Sequence, residues 1–396
     1  MNLFDPIKRV SLLSTMLFLT CISIAQTSLQ IQEENTLGLE QSKSEKIDEL
    51  VSQYVDFGKF NGTVLVAEKG KVIYKNGFGK ANLEWNTPNK SDTKFRIASV
   101  TKQFTAMLIM QLVAENKLSL DKPISAYLPD YPKENGDKIN LHHLLTHTSG
   151  IPSYTNFPSY GELMRENKAP DQLLELFVDS TLLFAPGERF DYSNSGYALL
   201  GHIIEKTTGK SFAEVLKEKI FEPLKMHNSG LDVGQLVLEN RAEGYDRNFD
   251  YYTKATYIDM SVAYSAGGIY STVEDLFLWD QALYTEMLLP KKYMDMIFSK
   301  QTMAWGEHYG YGWFIGEMRM GNSEEIIPTI THDGYINGFN TIITRIPSEK
   351  SSIILLNNNG GAPIRRMAQA IYGILHEKDY DRPKQSIAIP LLSAIK

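Results

Sequence analysis

The chain has 396 residues, with 40 Lys and Arg against 47 Asp and Glu, for a net charge of −7. A hydrophobic fraction of 43% with 11% aromatic and 22% charged residues is the composition of a chain that buries a core, which excludes a disordered or fibrous protein. The acidic balance and the lack of a dense basic run argue against nucleic acid as a partner.

Lys8 and Arg9 precede an apolar run from Val10 to Ile22, and Ser23-Ile24-Ala25 follows as a small-x-small cleavage site. Residues 1–25 are therefore expected to be a signal peptide, and the protein to be exported, periplasmic or secreted. The run is shorter than the roughly 20 residues a membrane span needs, so no stable span is expected after its removal. Cys21 is the only cysteine and leaves with this segment; Thr20 in front of it disfavours a lipid anchor. A mature chain without cysteine has no disulfide, thiol nucleophile or Cys-ligated metal.

Residues 26–42, rich in Gln, Glu, Ser and Thr, read as a linker. Ile47, Leu50, Val51, Tyr54 and Val55 recur at helical spacing and predict a helix over 44–57. The run from Gly62 to Glu68, the turn at Lys69-Gly70 and the run from Lys71 predict a β-hairpin. From about 99 to 261, helical patterns alternate with loops marked by Pro and Gly. Strand patterns return at 325–331, 338–346 and 351–357, a closing helix is predicted at 363–376, and 381–396 reads as a tail. Strands at both ends with helices between predict an α+β fold. Its antiparallel sheet is assembled from N- and C-terminal segments and flanked by helices, with a helical lobe, in one catalytic domain over 43–380. The cleft between the lobes is the place to look for a site.

Three segments carry chemistry. In Phe95-Arg-Ile-Ala-Ser99-Val-Thr-Lys102, Ser99 opens a helix that is apolar nearly all round, and Lys102 lies three residues on, on the same face. Burial and the positive helix end both lower the pKa of such a lysine, so that it can activate the serine. By itself the pair also fits a helix cap beside a lysine reaching solvent. In Tyr192-Ser-Asn194, two side chains two residues apart can face one cavity: a tyrosinate, if cations lower its pKa, as a base, and an amide to hold a carbonyl. In Thr331-His332-Asp333-Gly334-Tyr335, the glycine lets a substrate backbone run along the strand edge, with His332 as a switchable polar group beside it.

Together and in this order the three resemble the penicillin-recognising serine hydrolases, in the branch with class C β-lactamases, serine D-alanyl-D-alanine carboxypeptidases, D-aminopeptidases and esterases. The likeness spans roughly residues 45–378 and includes Leu144-Leu-Thr-His-Thr-Ser-Gly150, Phe184-Ala-Pro-Gly187 and Ser265-Ala-Gly-Gly-Ile-Tyr-Ser-Thr272. It implies a β-lactamase/transpeptidase-like fold, Ser99 as the nucleophile that forms an acyl-enzyme, Lys102 and Tyr192 sharing acid and base work, and Asn194 positioning substrate. It further implies His332-Asp333-Gly334 in the place where many relatives have Lys-Thr-Gly, and an oxyanion hole from the backbone N–H groups of Ser99 and Tyr335. No cofactor is implied, and the partner is a small molecule or short peptide with a reactive carbonyl. His142, His143 and His147 include the i, i+4 spacing of a zinc pair, but no glutamate stands between His143 and His147 to act as base, and no metal site is expected.

The His332-Asp333 departure argues against efficient β-lactam hydrolysis. With Asp333 taken to lie beside the binding edge, a substrate carboxylate is repelled and an ammonium attracted, by about 1 to 4 kcal/mol. Neutral esters or D-amino-acid amides are thus expected to lead over penicillins, with Tyr154, Tyr160 and Trp305 as an aromatic wall. The competing readings are a true β-lactamase or D-Ala-D-Ala carboxypeptidase and, from another class, a non-hydrolytic sensor of penicillin or cell-wall peptide.

Overall fold

The computed structural model describes residues 42–234, 236–248 and 251–384; the expected signal peptide, the linker up to residue 41 and the tail from 385 onward lie outside them. Contacts between Cα atoms divide the chain into two units, residues 1–49 and 50–396. A helix over 42–56 matches the one expected at 44–57. All that follows concerns the second unit.

Eight strands form one antiparallel sheet. They are β1 (Gly62–Glu68), β2 (Lys71–Phe78), β3 (Thr302–Ala304), β4 (Glu307–Tyr309), β5 (Phe314–Arg319), β6 (Ile326–Ile336), β7 (Phe339–Ile346) and β8 (Ser351–Asn357), in the order β3-β4-β5-β6-β7-β8-β1-β2. The pairing of β1 with β8, Gly62 opposite Asn357, joins the two ends of the chain as expected. The hairpin turn has both Lys69 (φ 52°) and Gly70 (φ 75°) in the left-handed region, the geometry whose twist suits a two-residue hairpin. On one face Leu65, Ala67, Ile343, Ile354 and Leu356 join the core of the helical region. On the other, Val64, Val66, Ile353 and Leu355 are also fully buried, and helix α4 (Ile364–Leu375) packs on β7 and β8. Burial of both faces is why these strands read as continuous apolar runs.

Helix α1 (Thr101–Ala114) has every residue from Thr101 to Leu112 buried, since α2 (Asn194–Thr208) and its neighbours surround it. Helices continue past the expected limit near 261: α3 (Val273–Ala282) lies against β1 and β8, with Trp279 stacked on Phe104 of α1 at 4.3 Å, and a further helix covers Lys291–Ile297. Strands β3, β4 and β5 were not read from the sequence. The first two hold three residues each about a turn at Trp305-Gly306, too short for an alternating pattern to show.

Strand β6 runs five residues beyond the expected end at 331. Its pairing with β5 stops at Phe314 opposite Thr331, while its pairing with β7 continues to Ile336, so His332 to Ile336 extend past the end of β5. Gly334 lies there against the turn that leads into α1. A Cβ on it would sit 2.3 Å from Ile97 O and 3.0 Å from Ala98 Cβ. The glycine is needed by this turn, a role different from the expected one of admitting a substrate backbone. Gly334→Ala is expected to lower stability by about 1 to 3 kcal/mol, read as a lower urea midpoint with an unchanged slope.

Candidate active site

The turn before α1 is held from two sides. Ile97 N–H donates to Ile269 O at 2.9 Å, and Thr341 Oγ1 donates to Ile97 O at 2.8 Å. Between these anchors Ala98 adopts φ +48°, a strained value for a residue with a Cβ, and a single 3₁₀ turn, Ala98–Val100, presents Ser99 at the mouth of the helix. Lys102 follows one helical turn later, as the spacing predicts.

Lys102 is completely buried. Its Nζ donates to Asn194 Oδ1 and to Ala266 O, both at 2.8 Å, and lies 3.1 Å from Ser99 Oγ. The first two partners can only accept, so they occupy two N–H bonds whatever the charge on the amine. The third direction, toward Ser99, holds either a proton or a lone pair. Desolvation holds the Lys102 pKa well below the usual lysine value. The rings of Tyr192 and Tyr197, with centroids 4.7 and 5.4 Å from Nζ, favour the ammonium and offset part of that shift. A neutral amine here has its lone pair aimed at the serine hydroxyl.

Tyr192 and Asn194 flank the entry to α2, where Ser193 caps the helix by accepting from Gly196 N–H. Burial raises the phenol pKa of Tyr192 above its ordinary value, outweighing the opposite influence of the nearby Ser99 hydroxyl. The expectation of a tyrosinate is corrected accordingly: burial keeps Tyr192 protonated, and the Lys102 amine lies over its ring face. Asn194 Nδ2 donates to Thr155 Oγ1 at 3.1 Å, which fixes the amide with its oxygen toward Lys102. Ser99, Lys102, Tyr192 and Asn194 thus converge.

A pocket of about 250 Å³ opens at Ser99. Tyr154, Thr155, Tyr160, Asn194, Tyr335, Ile336 and Asn337 supply its larger side chains, and none of the described residues lining it is ionic. Tyr154 and Tyr160 line it as expected. Trp305 does not; it stacks on Tyr192 at 5.8 Å instead.

The third motif needs two corrections. Adjacent strand residues face opposite sides of a sheet, and only one of His332 and Asp333 turns toward Tyr192. His332 does, with ring centroids 6.4 Å apart, yet it is buried and both its nitrogens are engaged: Nε2 lies 3.1 Å from Tyr309 Oη and Nδ1 lies 2.6 Å from Asp333 O. It is no free polar group beside substrate. Burial lowers its pKa to about 4. Asp333 receives a bidentate pair of hydrogen bonds from Arg365 of α4, at 2.9 and 3.1 Å, and that guanidinium holds its partly exposed carboxylate below the usual range. The expected repulsion of substrate carboxylates by Asp333 loses its basis. Period-2 alternation, had β6 been drawn to its full length, would have separated these neighbours.

His332 also sets an acid limit. An unfolded histidine titrates near 6.5, so its folded-state pKa of about 4 means that the unfolded chain binds the proton first as pH falls. Stability from His332 is complete above about 6.5, falls through the window down to about 4, and levels off below it; the lowered His147 and Asp333 pKa values act in the same direction. Melting temperatures measured from pH 7 to 4 should fall, and His332→Asn should reduce the slope.

The three candidate zinc histidines do not converge. His142 Nδ1 meets Tyr311 Oη at 2.9 Å, His143 Nδ1 accepts from Asn140 N–H, and His147 Nε2 faces Tyr309 at 3.3 Å.

The β-lactamase family model matches residues 47–375. Penicillin-binding protein 4* of Bacillus subtilis is 30% identical over 365 residues, 88% of this chain and 79% of that protein. The crystal structure of a penicillin binding protein from Bacillus halodurans superposes with a TM-score of 0.70 at 30% identity, covering 83% of this chain and 97% of that one. A D-amino acid amidase from Ochrobactrum anthropi shares the fold at a TM-score of 0.73 and 24% identity, over 86% of this chain and 99% of that one. With its antiparallel sheet, its helical region and its Ser-x-x-Lys turn, the chain belongs to the β-lactamase family of penicillin-recognising serine hydrolases.

Proposed function

We propose that the protein is an exported serine hydrolase that transfers a small, uncharged acyl group from an ester or amide to Ser99 and then to water. The observation that carries this reading is the buried Lys102 amine, with two N–H bonds on obligate acceptors and its third direction on Ser99 Oγ at 3.1 Å.

In the proposed sequence, Ser99 Oγ attacks the carbonyl carbon as its proton passes to Lys102 Nζ. The ammonium so formed is stabilised by Asn194 Oδ1, Ala266 O and the faces of Tyr192 and Tyr197. Backbone N–H groups of Ser99 and Tyr335 take the oxyanion. The neutral Tyr192 phenol, close to Ser99, gives its proton to the departing group and recovers one from Lys102. Lys102, neutral again, takes a proton from the water that attacks the acyl carbon and returns it to Ser99 Oγ as the bond from Oγ to the acyl carbon breaks, releasing the acid and restoring the serine. The acyl pocket, uncharged and lined by Tyr154, Tyr160 and Tyr335, suits a neutral, apolar acyl group. The basic and apolar stretch of residues 8–25 supports export.

Ser99→Ala is expected to abolish nitrophenyl acetate turnover with an unchanged circular dichroism spectrum, and Lys102→Ala to lower kcat by about a thousandfold or more; retention of rate by Ser99→Ala overturns the assignment. Across nitrophenyl acetate, D-Ala nitroanilide, nitrocefin and an acyl-D-Ala-D-Ala peptide, kcat/KM should be highest for the neutral ester. A lead for nitrocefin overturns the substrate reading.

A further inference from the structure

His147 lies behind Tyr192, buried and outside the acyl pocket, in the left-handed region at φ +58°. It grips three consecutive residues of the neighbouring loop. Its carbonyl accepts from Asp191 N–H at 2.8 Å, its ring stacks on Tyr192 at 4.2 Å, and its Nδ1 accepts from Ser193 N–H at 3.1 Å.

The bond from Ser193 also dictates a direction. A backbone N–H can only donate, so His147 Nδ1 carries no proton and its neutral ring is protonated at Nε2. That Nε2–H points at Tyr309 Oη, 3.3 Å away. The phenol then accepts from His147 and has its own proton to give to His332 Nε2 at 3.1 Å. His332 in turn must carry its proton on Nδ1, which donates to Asp333 O at 2.6 Å. At every link the donor meets an acceptor, from the Tyr192 loop to β6.

We infer that His147 is the positioning residue for Tyr192, and that His147, Tyr309 and His332 form a directed hydrogen-bond chain tying the Tyr192 loop to the strand that carries Gly334 and Tyr335. The chain keeps the phenol of Tyr192 and the edge of β6 in one register, on either side of the reacting carbonyl. It touches no reacting atom and acts through Tyr192. The inference rests on the proposed part of Tyr192 in proton transfer.

Two measurements test it. In ¹⁵N-histidine spectra near pH 7, assigned with His147→Asn and His332→Asn, His147 should show the Nε2–H tautomer and His332 the Nδ1–H tautomer. The same tautomer at both, or a charged ring at either, overturns the chain. With nitrophenyl acetate, His147→Phe, which keeps a stacking ring but loses both nitrogens, should lower kcat by about tenfold to a hundredfold with KM within about twofold. In a Tyr192→Phe background the same change should cost less than about twofold more, since its effect passes through the missing hydroxyl. Full multiplication of the two losses, or an unchanged kcat in His147→Phe, overturns the positioning role. Tyr309→Phe, which removes only the central hydroxyl, supplies the same comparison if His147→Phe does not fold. If the wild-type protein releases no nitrophenol, the hydrolase reading fails, while the spectra still decide the chain.

Discussion

An amine with no water around it is the constraint on which the site depends. Lys102 has its two fixed acceptors on chain segments 92 and 164 residues away, Asn194 at the start of α2 and Ala266 beyond it. Such a group is tolerated only because those oxygens, the serine and two aromatic faces replace its hydration. Burying α1 on all sides desolvates the amine, and desolvation holds its pKa well below the usual lysine value. Packing and chemistry are here the same set of contacts.

The sheet makes the second contribution, through one strand. Because β6 outruns β5, its last five residues adjoin the turn that carries Ser99, and Gly334 lets that turn lie flat on the strand. Alternation then sorts the charges. His332 turns toward the tyrosines and is kept neutral by burial, while the carboxylate of Asp333 is paired with Arg365 of α4. Among the described residues around the pocket at Ser99, the side chains are phenols, amides, the hydroxyls of Ser99 and Thr155, and aliphatic groups. Such a lining offers a bound molecule shape and hydrogen bonds rather than an opposite charge.

Features within one turn or one strand were legible in the sequence. Three residues of helix fix the reach of Lys102 to Ser99, an extended Ser193 sends Tyr192 and Asn194 the same way, and Lys69-Gly70 announces its hairpin, each through backbone geometry that needs no partner. The apolar runs of β1, β7 and β8 and the closing helix are legible for the same reason, whereas one sheet from both ends of the chain follows from the order of strands and helices along it. The three-residue strands β3 and β4 offer no period to read, and Asp333 and Gly334 interrupt the apolar pattern of β6 before the strand ends.

Protonation states and facing were decided by the tertiary structure alone. Tyr192 is protonated rather than anionic because burial disfavours the phenolate. Asp333 is neutralised by an arginine 32 residues downstream, and His147 finds Tyr309 162 residues away. A side chain's identity and its neighbours along the chain are written in the sequence, whereas its pKa depends on how much water and which distant charges surround it. Those surroundings exist only once the sheet has closed on α1.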